Sequence, residues 1–261
     1  MEIALVYMVA GISSRFGGKI KAFTDIGKGT LIEYSLSQAL PAGFSKIVFI
    51  VGNKTEKPFK EFFGESYNGI PVEYVKQEFD ETTRDKPWGT ADALCTLNLD
   101  CKFVICNGDD IYGSKTFKLL TEHLRESNDE AVVGYKLSEA IPEQGKANRG
   151  IFSLDEKNYV SSLVEVMGIE KNDLASLNLK SEDLCSMNIY GFNPWIINLL
   201  RMELEKFKKQ NEEDRKVECL LPEEVGKLIK SGKIKVKIYP ASEKWYGVTH
   251  PGDEEIIKRS L

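Results

Sequence analysis

The sequence predicts an α/β fold: three layers, α/β/α, around a Rossmann-like, mixed but mainly parallel sheet. Three observations carry that expectation. Short apolar runs alternate with amphipathic segments through the first half. The runs are near-continuous in apolar and β-branched residues, as strands covered on both faces must be. A Gly-rich turn follows the first run, where an open α/β sheet holds its ligands.

The first five strands are expected at Ile3–Val9, Lys46–Val51, Val72–Lys76, Phe103–Cys106 and Ala131–Lys136. Between them, Thr30–Leu40, Lys57–Phe63, Thr90–Leu99 and Ser114–Arg125 read as helices. The last sets Phe117, Leu120, Thr121 and Leu124 on one face, with Lys118, Glu122 and Arg125 opposite. Strand–helix alternation requires right-handed crossovers between parallel strands. The second half is less regular. Gly150–Leu154, Val160–Val166, Met187–Phe192, Ile234–Tyr239 and Trp245–Thr249 read as strands. Trp195–Lys209, begun at Pro194, and Gly252–Lys258 read as helices. The charge-dense segment 203–218 reads as a solvated helix and loop. Segments 77–88 and 168–184 look like insertions and are expected as lids. With no repeat and no linker, residues 1–261 form one expected domain, divided into halves 1–136 and 137–261.

Thirty-five basic against forty acidic residues give a net charge of -5, which argues against a nucleic-acid binder. At 42% hydrophobic residues the chain has enough apolar material for a core, so disorder is excluded as its dominant state. The five cysteines are odd in number and lack C-x-x-C spacing, so a reduced, cytoplasmic setting is expected. Ile3 to Gly11 is too short to span a membrane, and acidic Glu2 before it is unlike a signal peptide.

The turn after the first strand reads Ala10-Gly11-Ile12-Ser13-Ser14-Arg15-Phe16-Gly17-Gly18-Lys19-Ile20-Lys21. Small residues let backbone amides approach phosphate oxygens. Arg15 offers a bidentate fork and Lys21 a point charge. The pattern is neither a Walker loop nor G-x-G-x-x-G, and a plain surface loop has a similar composition. Gly89-Thr90-Ala91-Asp92-Ala93-Leu94 follows Trp88, either a ligand-facing helix start or a helix simply capped by Thr90. Asn107-Gly108-Asp109-Asp110 follows the fourth strand. An acid there suits a hard cation, and an N-G-D turn is the plainer reading.

In this order, these three motifs resemble the nucleotidyltransferase superfamily, of the sugar-1-phosphate nucleotidylyltransferase (NDP-sugar pyrophosphorylase) type. The resemblance covers roughly residues 1 to 255. It implies the nucleotide-diphospho-sugar transferase fold, with residues 1–136 binding nucleotide and 137–261 the acceptor. It implies catalytic roles for Arg15, Lys21 and Asp109, with Asp109 holding Mg²⁺. Nucleotide contacts fall to Ala10, Gly11, Ser13, Ser14, Gln77, Gly89 and Thr90, with Gln77 resembling a glutamine that reads the base edge. Acceptor contacts fall to Asn107, Gly150, Glu165, Asn188 and Lys244.

Two departures stand out. Val166 replaces a lysine expected after Glu165, so Lys244 or Arg149 is left to meet the acceptor phosphate. Gly247 replaces the second metal-binding aspartate in Trp245-Tyr246-Gly247-Val248-Thr249-His250-Pro251-Gly252-Asp253. Asp253 and Glu243 are weak substitutes, and Asp110 either joins Asp109 or faces water. His250 reads as a turn residue and His123 as a helix-surface residue.

The implied reaction is attack by an acceptor phosphate on the α-phosphorus of an NTP, giving an NDP-sugar and pyrophosphate. The partners are an NTP and a phosphorylated small molecule, with no nucleic acid or membrane and with a homo-oligomer left open. Three alternatives stay open: a cytidylyltransferase acting on an alcohol phosphate such as phosphocholine, a non-catalytic nucleotide- or sugar-binding relative, and a glycosyltransferase. The last is disfavoured because Asp109-Asp110-Ile111 is not D-x-D.

Overall fold

The apolar run Ile3–Met8 (β1) lies at the centre of the sheet, and its alternation divides the core. Leu5 and Tyr7 face one layer of helices; Ala4 and Val6 face the other. The structure, a computed structural model, describes residues 1–11, 20–143, 145–248 and 252–261.

The chain continues through α1 (Leu31–Ala39), β2 (Lys46–Val51), α2 (Glu56–Phe63), β3 (Ser66–Tyr67) and β4 (Ile70–Lys76). Then come α3 (Thr90–Cys95), β5 (Lys102–Asn107), β6 (Asp110–Ile111), α4 (Ser114–Glu126) and β7 (Glu130–Lys136). The second half adds α5 (Leu137–Ala140), β8 (Ala147–Leu154), β9 (Val160–Ile169) and β10 (Leu184–Phe192). It ends with α6 (Ile196–Gln210), α7 (Leu221–Lys230), β11 (Val236–Pro240), β12 (Tyr246–Gly247) and α8 (Asp253–Ser260).

The main sheet runs β11-β7-β10-β5-β1-β2-β4-β3, with β8 and β9 branching from β10. The block β4-β2-β1-β5 is parallel, as is β7 with β11; β10 runs antiparallel between β5 and β7. This is the expected mixed sheet in three layers. Residues of α1, α2 and α4 pack on one face, and those of α3, α6 and α7 on the other. In α4, the residues expected inside are buried and Lys118, Glu122 and Arg125 are exposed.

Four expectations need correction. Helix α7 is not among the elements expected from the sequence, and it contains both a proline, Pro222, and a glycine, Gly226. Pro222 opens the helix, where its missing N–H costs nothing. Gly226 lets the helix settle on β9, since a Cβ there would lie 2.3 Å from the Leu163 carbonyl oxygen. Helix α3 stops at Cys95 rather than Leu99, closed by Thr96, whose hydroxyl donates back to the Ala93 carbonyl. His123 is buried, within 3.0 Å of the Tyr239 hydroxyl and of the Asp129 carbonyl oxygen. Lastly, segment 77–88 is not a detached lid. Arg84 is buried, stacks 3.5 Å from the Trp88 ring centre, and donates to the Val217 carbonyl. Arg215 returns the bond, donating to Asp85 and to the Thr82 carbonyl. The two loops brace one another. The other insertion, 168–184, is also tied down: Leu137 and Ser138 of α5 donate backbone N–H groups to the carbonyls of Asp183 and Ser181.

Candidate active site

Because β1 lies between β2 and β5, the turns that follow these strands converge at one end of the sheet. Met8 pairs with Asn107, so residues 9–11 and 107–109 leave the sheet side by side. Gln77, just past β4, joins them through its backbone N–H to the Val51 carbonyl. Two cavities open here. The larger, about 560 Å³, is lined by Ala10, Gly11, Lys21, Gln77, Lys86, Gly89, Thr90, Asp109 and Glu218, among others. The smaller, about 220 Å³, is lined by Asp110, Arg149, Gly150, Glu165, Ser186 and Trp245, among others. Lys21, Asn107, Asp109 and Asn188 line both.

Within that shared wall, Lys21 Nζ lies 3.5 Å from Asp109 Oδ2, the carboxylate side chain 35% exposed. Asn188 sits at an irregularity in β10 with φ +56°, a left-handed conformation that turns it out of the strand alternation. Its Oδ1 is buried without a hydrogen-bond partner.

Asp110 does not face water. It is 6% exposed, and its Oδ2 accepts from Asn107 Nδ2 at 2.8 Å and lies 3.0 Å from the Tyr112 hydroxyl. Burial first, and the neighbouring Asp109 charge second, push its carboxyl well above the usual range. Gly247 is its cross-strand partner in the β6–β12 pair. A Cβ at 247 would fall 2.4 Å from Asp110 Oδ1 and 2.3 Å from the Trp245 ring. The departure at Gly247 is therefore a packing requirement: the aspartate across the strand and the indole fill the space.

In the second half of the chain, Gly150 and Glu165 pair across β8 and β9. Burial, then Glu223, raise the Glu165 pKa to about 7, with Arg149 opposing. Trp245 Nε1 is buried and unpartnered. Arg149 reaches the smaller cavity, with three of its five N–H donors directed to the carbonyls of Ala140 and Asn148.

Lys244 lines neither cavity; its ammonium lies 5.2 Å from the Tyr246 ring centre. Glu243 is occupied at the start of α4, accepting from the Lys115 amide at 2.6 Å. The expected free amides at the start of α3 are reduced, because Ala91 N–H goes to the Cys219 carbonyl; the Thr90 hydroxyl oxygen is taken as well, accepting from Leu221 N–H. Ser13, Ser14, Arg15 and His250 lie outside the described residues. The sequence reading passed over Arg84, Lys86, Lys208 and Glu218. Folding brings Lys86 to Glu218, Lys208 to Asp92 and Arg84 to Trp88 and the Val217 carbonyl; for Lys208 and Glu218 the density of charge in 203–218 is the one signal in the sequence.

Comparison with known proteins bears on this site. A sequence model of the nucleotidyl transferase family matches residues 18–249. No curated protein matches the chain. Among solved structures, the chain is similar to a UDP-glucose pyrophosphorylase complexed with UDP-glucose, 16% identical over 100% of this chain and 98% of that one, with a TM-score of 0.71. It is similar to a protein provisionally assigned as a glucose-1-phosphate thymidylyltransferase from Bacillus anthracis, in complex with a sucrose: 13% identical over 99% and 94%, TM-score 0.72. It is also similar to a UDP-glucose pyrophosphorylase from Acinetobacter baumannii: 14% identical over 99% and 92%, TM-score 0.70. At these identities the likeness is one of fold.

Proposed function

The chain belongs to the nucleotidyl transferase family, and from that premise we propose that it transfers a nucleotidyl group from an NTP to a sugar 1-phosphate, releasing pyrophosphate. One observation carries the reading: two cavities with a common wall of Lys21, Asn107, Asp109 and Asn188. A triphosphate in the larger and a phosphorylated acceptor in the smaller would meet at that wall. In the same proposal residues 1–136 serve the nucleotide and 137–261 the acceptor, within one catalytic domain. The cytoplasmic setting expected from the unpaired cysteines belongs to the proposal as well. No helix among the described residues is long and apolar enough to cross a membrane.

The chemistry asks little covalent work of the protein. A phosphate nucleophile is already anionic near neutral pH, so no general base is required. Lys21, with Arg15 of the Gly-rich turn, neutralises charge on the triphosphate, and the cleft walls align the two phosphates. Asn188 offers its unpartnered Oδ1 to an acceptor hydroxyl, and Glu165 faces the same cavity opposite Gly150.

The resemblance implies Mg²⁺, and the donors present fit a hard cation. Among the described residues no group of three acidic, histidine or cysteine side chains could hold a metal. Two adjacent carboxylates are available: Asp109, and Asp110, whose Oδ1 accepts none of the described hydrogen bonds. Position 247 has no room for a third. Asp109 and Asp110 would hold the ion, with phosphate oxygens and waters completing its shell, as Mg²⁺ commonly prefers. When bound, the ion supplies further neutralisation of the triphosphate.

The test is pyrophosphate release from a panel of four NTPs against sugar phosphates. One observation favours a second acceptor class. Asp109, Asp110, Glu165 and the Trp245 ring line the smaller cavity, a combination that suits a cationic headgroup. Phosphocholine therefore belongs in the same panel. Release with no acceptor of either class would remove the transferase reading.

A further inference from the structure

The base end of the larger cavity holds a set of polar contacts that the transfer chemistry leaves unused. Gln77 is 5% exposed and lines the cavity. Its Nε2 donates to the Gly89 carbonyl at 3.0 Å and to Asp92 Oδ2 at 2.8 Å. Both amide hydrogens are therefore committed, and an amide has no others. Asp92 is itself 6% exposed, and its second oxygen, Oδ1, pairs with Lys208 Nζ at 2.8 Å. A carboxylate in an ion pair only accepts, so the Gln77 atom that meets it must be the nitrogen. The atom left for the cavity is the carbonyl oxygen Oε1, which accepts none of the described hydrogen bonds.

We propose that Asp92, held by Lys208, is a positioning residue for base selection. It fixes the Gln77 carboxamide so that only an acceptor faces the nucleotide, and the cleft then takes a base that places an N–H donor against it. The inference rests on the triphosphate reading of the larger cavity. A ring N–H or an exocyclic amine meets the requirement; a ring nitrogen lone pair in that position is rejected, because it leaves two acceptors opposed in a buried site. The filter is built into the fold: Asp92 is on α3 and Lys208 on α6, and the braced 77–88 loop backs both, with Lys208 5.9 Å from the Trp88 ring centre.

The experiment measures the dissociation constants of ATP, GTP, CTP and UTP by calorimetry, together with Tm, for three proteins. These are the wild type, Asp92→Asn, and the double variant Asp92→Ala/Lys208→Met, which removes the pair without leaving a buried charge. The asparagine can donate as well as accept and, with Lys208 Nζ to satisfy, it no longer fixes which Gln77 atom meets it, so the spread between tightest and weakest NTP should shrink by more than about threefold. The double variant should compress that spread by about tenfold, since its carboxamide can turn. Methylating the donor nitrogen of the preferred base should weaken wild-type binding by about tenfold. Uniform weakening of all four NTPs in the double variant, or indifference to methylation, would overturn the proposal. A second readout is independent of the functional reading: the Gln77 side-chain amide protons of the free protein, followed by NMR. They should exchange slowly in wild type and quickly in both variants. Fast exchange in wild type would sink the proposal, whereas protected protons in a protein that binds no NTP would sink only the triphosphate reading.

Discussion

The two ends of the active cleft are finished to different degrees. At the base end the buried polar groups already have partners, apart from the Gln77 Oε1 that faces the cavity. Gln77, Asp92 and Lys208 satisfy one another, and Arg84 is stacked on Trp88 and bonded to the facing loop. At the acceptor end, Asn188 Oδ1 and Trp245 Nε1 are buried with no partner, and Asp110 and Glu165 are pushed toward their neutral forms. Buried polar atoms without partners are costly. The base end is thus paid for in folding, while the acceptor end is left for ligands to complete.

Four measurements break or sharpen that contrast. The largest effect belongs to the wall between the ends. Lys21→Ala and Asp109→Ala should each cut turnover by about 100-fold or more, ~3 kcal/mol, with Tm near wild type. Near-normal pyrophosphate release by either would place the reaction elsewhere. Next, Arg84→Ala should destabilise the fold by about 1–3 kcal/mol, because part-buried carbonyls lose their donor and Trp88 its stacking partner. Chemical denaturation reads this directly, and an unchanged midpoint would mean that the brace contributes nothing. Third, Asp110→Asn should weaken Mn²⁺ binding in the presence of NTP by about tenfold, or ~1.4 kcal/mol, read by electron paramagnetic resonance. Unaltered affinity would leave Asp109 as the sole protein ligand.

The smallest effect is a pH dependence. Glu165 titrates at about 7 in the fold, against 4.5 for an ordinary glutamate. The folded state therefore binds more protons between those values, and stability falls as pH rises through that window. Glu165→Gln removes the penalty. It should stabilise the protein by about 1–2 kcal/mol at pH 8, after allowance for solvent screening, and by little at pH 5. An equal Tm difference at both pH values would show that burial does not govern this carboxyl.

Much of the first half of the chain could be read in advance. Its strands are unbroken apolar runs and its motifs follow those strands directly, so position along the chain reports position in space. Asp109 follows β5 and Gln77 follows β4 for that reason alone. Reading failed where a contact is long-range. Helix α7 carried the punctuation of a loop, and only its packing on Leu163 explains Gly226. Lys244 was a plausible phosphate partner by charge, yet it turns toward Tyr246 and lines neither cavity. Asp110 looked like half of a turn, and its burial depends on Tyr112 and on a β-bridge to residues more than a hundred positions away.

From the sequence alone came the alternating strands and helices, the end of the sheet at which the two cavities open, and the lysine and aspartate that meet there. These follow from local periodicity and from turns adjacent to strands, which need no knowledge of distant residues. The tertiary structure decided the rest: that a glycine at 247 makes room for Asp110, that segment 77–88 and the loop around Arg215 brace each other, and that Asp92 aims Gln77. Each depends on the distance and polarity between groups far apart in the chain, and those quantities exist only once the core has closed.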